Sequence, residues 1–157
     1  PAPRARALFR HSPVARKQRP TPVLDGKNLY LQLLHTSGAL VIALDAKTGK
    51  QVWVQKRASD ATDECLHAYA SPVIYRDDKQ EFLLAHGCDY ITAHSLKDGK
   101  ELWRCGGLNP RGKYNRTLRL VASPVAVPGL IVLTHLEPDD DPVSWQDVEL
   151  ERKDTPA

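Results

Sequence analysis

Methionine is absent from this 157-residue chain, and cysteine and phenylalanine are scarce, with three and two residues. Three cysteines are too few for the disulfide framework of small secreted folds, and an odd number cannot all pair within the chain. No apolar run approaches the roughly 18–20 residues that cross a bilayer. No apolar segment with a small-residue cleavage site follows the basic start. The sequence therefore predicts neither a transmembrane segment nor a signal peptide within this chain.

A large excess of either charge is also missing, because 22 basic residues face 19 acidic ones and the formal net charge is +3. So small an excess argues against nucleic acid as a partner. The charges are unevenly placed, however: residues 1–20 hold six basic and no acidic side chains, whereas residues 137–157 hold eight acidic and two basic ones. We expect a basic N-terminal segment (1–20), a folded region (21–135) and an acidic, disordered tail (136–157).

An internal repeat of about 50 residues dominates the folded region. Thr21-Pro22-Val23, Ser71-Pro72-Val73 and Ser123-Pro124-Val125 recur at spacings of 50 and 52 residues. In step with them, the segment from Ala43 to Trp53 matches the segment from Ala93 to Trp103 in Ala, Lys, Gly, Lys and Trp at an offset of 50. Two landmarks that share one period identify a repeat architecture.

Each period reads as short β-strands separated by turns such as Asp25-Gly26 and Thr48-Gly49, with no sustained helical periodicity. Four short antiparallel strands in about 50 residues describe one blade of a β-propeller. We predict an all-β fold with blades at about 21–55 and 71–105 and part of a third at 122–135. Because closed propellers have about 4–8 blades, we expect a fragment or a chain that completes its ring with further copies.

The pattern Ala-x-Asp-x-x-Thr-Gly-x-x-x-Trp, complete at 43–53, resembles the tryptophan-docking motif of pyrroloquinoline-quinone (PQQ)-like β-propellers, and the resemblance covers about residues 20–133. It implies that each Trp packs against the neighbouring blade and that the Asp and Thr side chains tie the turn together. The docking residues that it assigns are Asp45, Thr48, Gly49, Trp53, Gly99 and Trp103. The second copy departs from the motif, with Ser95 in place of Asp and Asp98 in place of Thr, which predicts a weaker tie.

Segments 64–73, 86–90 and 106–110 look like a bacterial subfamily of PQQ-binding-like repeat proteins. That wider family includes quinoprotein dehydrogenases, which hold PQQ and a metal ion, and a lipoprotein that helps assemble outer-membrane barrels and binds proteins without quinone. The resemblance therefore implies a non-enzymatic scaffold or binding module, outside the cytoplasm, such as in the periplasm. The alternative that it allows is a fragment of a PQQ-dependent alcohol or sugar dehydrogenase with PQQ and Ca²⁺. A WD40 or kelch propeller is disfavoured by the period and by the missing signatures.

A cationic or protonatable residue lies five positions before each of the three repeated prolines: Lys17, His67 and Arg119. Near one mouth of a propeller channel they would form part of a ring for an anionic ligand, either a small anion such as PQQ or an acidic peptide. The alternative is an ordinary solvated loop entrance. The partners that we expect are other blades, further copies of the chain, a protein or a small anionic ligand.

The connections between blades, 56–70 and 106–121, are long enough to be functional loops, but we interpret them as structured crossovers. Within them, Asp60, Asp63 and Glu64 read as solvated carboxylates. Cys65-x-His67 and His86-x-Cys88 would each present two soft ligands if they lay on strand faces. Their spacing is not that of structural zinc, so packing of small thiols is favoured over a metal site.

Overall fold

A computed structural model describes residues 21–35 and 38–133 of the chain. The first four strands run β1 (Val23–Asp25), β2 (Asn28–His35), β3 (Gly38–Asp45) and β4 (Gln51–Lys56). They pair in chain order as an antiparallel sheet, which we call blade 1. The segments predicted at 1–20 and 136–157, with Lys17 in the first, lie outside the described residues.

The next four strands form a second antiparallel sheet in chain order, blade 2: β5 (Val73–Arg76), β6 (Glu81–His86), β7 (Ile91–His94) and β8 (Glu101–Cys105). Two more strands, β9 (Val125–Val127) and β10 (Leu130–Val132), pair as a hairpin that we call blade 3. Two four-stranded blades and part of a third are what the repeat predicted, so the all-β propeller-blade fold is confirmed.

The two complete blades share their local irregularities as well as their strands. Gly49 and Gly99, 50 residues apart, both have a positive φ, at 70° and 74°, a conformation that a side chain disfavours. Just before each of these turns the ladder shifts register, between Ala43 and Leu44 in blade 1 and between Ala93 and His94 in blade 2. A register shift of this kind means that one strand has an extra residue, which bends the strand and redirects the side chains beyond it.

The first crossover (57–72) and the second crossover (106–124) lie against each other and against the end of β2. Ala68 forms an antiparallel bridge with Leu34 and a parallel bridge with Leu120. Short 3₁₀ helices occur at Asp63–Leu66 and Arg111–Lys113. Beneath the crossovers is a small apolar cluster: Leu34, Ala61, Cys65, Ala68, Ala70, Cys88, Leu118 and Leu120. The interpretation of these segments as structured crossovers is confirmed.

No helix among the described residues is long and apolar enough to span a membrane.

Candidate functional site

The contact between blades 1 and 2 is centred on Trp53, which is buried on the outermost strand of blade 1. Its indole nitrogen donates a hydrogen bond of 3.1 Å to the carbonyl oxygen of Leu96 in the β7–β8 turn of blade 2. The ring lies so close to Gly99 that a Cβ atom there would stand 2.5 Å from an indole carbon. Trp53 thus occupies a place on blade 2 that only a glycine leaves open.

The turn that follows β3 is held by the Asp45 carboxylate. Its Oδ1 atom accepts hydrogen bonds from the Thr48 hydroxyl (2.6 Å), the Thr48 backbone nitrogen (2.7 Å) and the Lys47 nitrogen (3.2 Å). The bonds from Thr48 hold the pKa of Asp45 below its usual value, because they stabilise the carboxylate.

The corresponding turn of blade 2 has fewer and longer bonds from its side chains. Ser95 Oγ accepts from the Lys97 nitrogen at 3.3 Å, and Asp98 Oδ1 accepts from the Lys100 nitrogen at 3.2 Å. The backbone bond from Gly99 to the Ser95 carbonyl is 2.8 Å. The backbone turn therefore keeps its shape although two side chains of the pattern differ.

Trp103, the equivalent of Trp53, is only half-buried. It makes an edge-on contact with Phe82 of its own blade, at 5.4 Å between ring centroids. It belongs to the apolar cluster between blades 2 and 3, to which blade 3 contributes Ala126, Ile131 and Leu133.

A buried ion pair that sequence reasoning missed also joins blades 1 and 2. Arg57, directly after β4, is 3% exposed, and its guanidinium lies 3.5 Å from Asp89 in the β6–β7 turn. It also donates to the Tyr90 carbonyl oxygen at 2.6 Å. The second oxygen of Asp89 accepts a hydrogen bond from the Ser59 hydroxyl. A buried charge is tolerated when it is paired and hydrogen-bonded in this way.

This network continues into blade 2 through Thr92 and His94. Arg57 Nε donates to the Thr92 hydroxyl at 3.2 Å, and that oxygen lies 2.9 Å from His94 Nε2. His94 Nδ1 lies 2.9 Å from the Gly99 carbonyl oxygen, to which it can only donate. Burial lowers the pKa of His94 and favours the neutral ring. This chain of hydrogen bonds ends at Gly99, against which the Trp53 indole packs.

The repeated Ser/Thr-Pro-Val segments are also linked directly from blade to blade. The Thr21 backbone nitrogen donates to Ser71 Oγ at 3.1 Å, and the Ser71 nitrogen donates to Ser123 Oγ at 2.8 Å. The hydroxyl at this repeat position therefore serves as an acceptor for the preceding blade. Its recurrence was visible in the sequence, but its role was not.

The two crossovers carry opposite charges, and these charges pair with one another. The first crossover supplies the carboxylates and the second the guanidinium groups. The three pairs are Asp60–Arg111 at 2.6 Å, Glu64–Arg119 at 2.6 Å and Asp63–Arg116 at 3.9 Å. The three carboxylates are 38–57% exposed, so they are solvated as predicted, and each also pairs with a guanidinium of the other crossover.

The structure brings two of the three predicted ring residues together. The parallel bridge between Ala68 and Leu120 places His67 and Arg119 at neighbouring positions of the two crossovers. The Arg119 guanidinium donates to Glu64 Oε2 through two nitrogens, at 2.7 and 2.6 Å. A carboxylate thus already compensates the one permanent cation of this pair.

The proposed cysteine–histidine pairs do not lie on strand faces, which was the geometric basis of the metal hypothesis. Cys65 is in a 3₁₀ helix and Cys88 is in the β6–β7 turn. Burial raises the pKa of the Cys88 thiol to about 12, and its sulfur lies 3.2 Å from the Leu118 carbonyl oxygen. Within 21–35 and 38–133, no three His, Cys, Asp or Glu side chains group as metal ligands would.

A shallow cleft opens beside the second crossover. Its volume is about 100 Å³, and it is lined by Asp60, Asp89, Tyr90, Gly107, Asn109, Pro110, Arg111 and Tyr114. The Asn109 amide is already bonded to Asn115 and to the Cys65 sulfur. Ligand pockets are typically about 300–1,000 Å³, so this cleft admits only a very small molecule.

One match to a known family spans most of the chain. Residues 5–137 match the sequence model of the PQQ-repeat family described as outer membrane protein assembly factor BamB. The chain belongs to this PQQ-repeat family. A second similarity is to the lanthanide-dependent methanol dehydrogenase of Methylorubrum extorquens, 34% identical over 83 residues. That alignment covers 50% of this chain but 13% of the enzyme, so the chain spans a small part of its relative.

Proposed function

We propose that this chain is a β-propeller module that binds protein surfaces, first of all other blades, and that it is not an enzyme by itself. The observation that carries this proposal is the pairing of the crossover charges with one another, as in Glu64–Arg119 and Asp60–Arg111. Three carboxylates of the first crossover are thereby paired with guanidinium groups of the second.

The alternative, part of a quinoprotein oxidoreductase, is favoured by the similarity to a methanol dehydrogenase. PQQ carries three carboxylates and needs cationic partners. In the part of the chain that the structure describes, Arg119 is bonded to Glu64, and the cleft lined by Asp60 and Arg111 has a volume of about 100 Å³. These residues do not fit PQQ without further groups, so no catalytic step is assigned to them.

The test is a titration of the full chain with PQQ in the presence of Ca²⁺ or La³⁺, followed by quinone absorbance and by thermal unfolding. The proposal predicts no saturable change in absorbance and no rise in Tm. A ligand that binds only the folded state at 100 times its Kd stabilises it by about 2.7 kcal/mol, which a thermal scan detects easily. Saturable binding with such a rise would overturn the proposal.

A charge variant tests whether binding of PQQ depends on the charges of the crossovers. Glu64→Gln frees Arg119 from its carboxylate, so weak anion binding at the crossovers should increase in this variant if the ion pair is what blocks it. Asp78→Asn, which removes a carboxylate from the β5–β6 turn on another part of blade 2, serves as the control. Equal PQQ binding by all three proteins would show that the crossover charges are irrelevant to the ligand.

A further inference from the structure

The cleft beside the second crossover contains a carboxylate whose cation holds it only at long range. Asp89 lines the cleft and is 7% exposed. Both terminal nitrogens of Arg57 lie 3.5 Å from its Oδ1 atom, whereas charge-assisted bonds between such groups are about 2.7–2.9 Å long. The other oxygen, Oδ2, accepts a hydrogen bond from the Ser59 hydroxyl. Oδ1 therefore keeps the capacity to accept a stronger donor.

A second carboxylate, that of Asp60, lines the same cleft. Arg111 lies 2.6 Å from it, and this bond holds the pKa of Asp60 below its usual value, so the carboxylate is ionised at neutral pH. The charged groups that line the cleft are the carboxylates of Asp60 and Asp89 and the guanidinium of Arg111. The lining thus has an excess of negative charge, which favours a cation as its occupant.

The two tyrosine rings of the cleft already attract cations. The guanidinium carbon of Arg104 lies 4.8 Å from the centre of the Tyr90 ring, and that of Arg111 lies 5.1 Å from the centre of the Tyr114 ring. Both distances are within the roughly 6 Å over which a ring and a cation attract each other. Arg104 is itself paired with Glu101 at 2.6 Å, so this pair adds no net charge. The rings also offer apolar surface to the methylene groups of a long cationic side chain.

The volume and the available acceptors select the kind of cation. A cavity of about 150 Å³ holds a benzene ring, so the cleft of about 100 Å³ admits only a few heavy atoms. Because Ser59 occupies Oδ2, Asp89 offers one oxygen rather than the two that a forked guanidinium engages. An ammonium group is a compact point charge with three donors and needs no such pair of oxygens.

We propose that this cleft receives the ammonium end of a lysine side chain that is exposed on a partner protein. The ammonium group donates to Asp89 and Asp60, and the methylene groups of the lysine lie against Tyr90 and Tyr114. This deepens the proposed function, on which it rests, because it names the chemistry by which the module recognises a protein surface.

Titration of a lysine peptide into the ¹⁵N-labelled full chain, followed by NMR, tests this proposal. The probe is acetyl-Gly-Gly-Lys-Gly-Gly-amide, and its matched control is the same peptide acetylated on the lysine side chain, which removes the charge. We expect saturable shifts of the Gly107 and Tyr114 amide signals with the charged peptide and none with the control. Equal shifts with both peptides, or no saturable shift with either, would overturn the proposal.

Variants of the chain should change the affinity for the lysine peptide in opposite directions. Asp60→Asn should weaken binding about two- to fivefold, as expected for an exposed ion pair. Arg111→Gln removes the competing cation and should tighten binding by a similar factor, whereas mere damage to the crossover would weaken it. Asp78→Asn, at an exposed site in the β5–β6 turn, should leave the affinity unchanged. Asp89 stays intact because Arg57 depends on it, and unchanged affinity in both cleft variants would overturn the proposal.

Two further titrations identify the source of the cation. Methylammonium chloride should bind more weakly than the peptide, since it lacks the methylene groups that pack on the rings. Calcium chloride should cause no saturable shift, since two carboxylates are too few for an ion that takes about 6–8 oxygens. Equally tight binding of methylammonium would assign the cleft to a free amine, and saturable shifts with calcium would assign it to a metal ion, so either result would overturn the proposal.

The PQQ titration remains a separate readout. A chain that binds neither lysine peptide nor quinone would lose this cleft as a site and leave the proposed function standing. A chain that binds quinone would overturn the proposed function whatever the lysine peptide does.

Discussion

Adding one methyl group at Gly99 should destabilise the protein more than adding the same group at Gly49. The two glycines occupy equivalent turns and have nearly the same positive φ, 74° and 70°. A Cβ at Gly49 meets no atom within 4 Å, whereas a Cβ at Gly99 meets the Trp53 indole at 2.5 Å. Gly49→Ala therefore measures the backbone strain alone, and Gly99→Ala measures the strain together with the displaced contact between blades.

The expected magnitudes follow from these two terms. A left-handed conformation costs an L-residue about 1–2 kcal/mol, so Gly49→Ala should lower the free energy of unfolding by about that amount. Forcing an extra methyl into a packed contact costs about 1–3 kcal/mol. Gly99→Ala should therefore lose about 2–5 kcal/mol in all.

Urea unfolding followed by circular dichroism measures both losses, and a Trp53→Ala background provides the decisive comparison. Without the indole, the excess cost of Gly99→Ala over Gly49→Ala should shrink to the part that comes from the flexible Gln55 side chain, whose Cγ lies 2.8 Å from the added Cβ. Such a double-mutant cycle isolates the contact between position 99 and Trp53. Equal losses in the wild-type background, or an excess at Gly99 that is undiminished without Trp53, would refute the packing that we describe.

Three further predictions concern buried groups. Arg57→Met leaves the Asp89 carboxylate buried without its cation, so unfolding in urea should show a loss of about 3–5 kcal/mol, reduced when Asp89→Asn is added. Because the pKa of Cys88 is raised to about 12, its thiol should stay unreactive towards a disulfide reagent at pH 8 until the chain unfolds, whereas half-buried Cys105 reacts earlier. Because burial lowers the pKa of His94, the unfolded chain binds a proton first as the pH falls below about 6.5. Stability should therefore decrease from pH 7 to pH 5, and His94→Gln should flatten that decrease.

The strands and turns could be predicted from the sequence because the same local chemistry occurs twice. Gly49 and Gly99 mark equivalent turns, and burial alternates along β2, where Tyr30, Gln32 and Leu34 are buried and the residues between them are only partly buried. The third blade was visible only as Ser123-Pro124-Val125 and a following apolar run, and the structure describes one hairpin there. Repetition supplies an internal check that a single blade lacks.

The contacts between blades could not be predicted in the same way, since they depend on residues that are not repeated. Arg57 aligns with Gly107 at an offset of 50, so nothing in the repeat announced a buried guanidinium. The ion pair between Glu64 and Arg119 joins residues 55 positions apart, and their sequence neighbours suggested only solvated charges. The prediction that Arg119 belongs to an anion-binding ring depended on its position relative to Pro124. That position does not indicate which side chain faces Arg119.

Amide hydrogen exchange of the full chain, read by mass spectrometry, tests most directly whether the crossovers serve to join blades. Residues 57–72 and 106–124 bond to each other through Tyr69 and Leu120 (2.7 Å) and through Glu64 and Arg116 (3.2 Å). We predict that both crossovers are protected and lose their protection together, as one cooperative unit. Exchange of both segments at the rate of an unstructured peptide, with β6 and β7 still protected, would contradict this account and identify them as free binding loops.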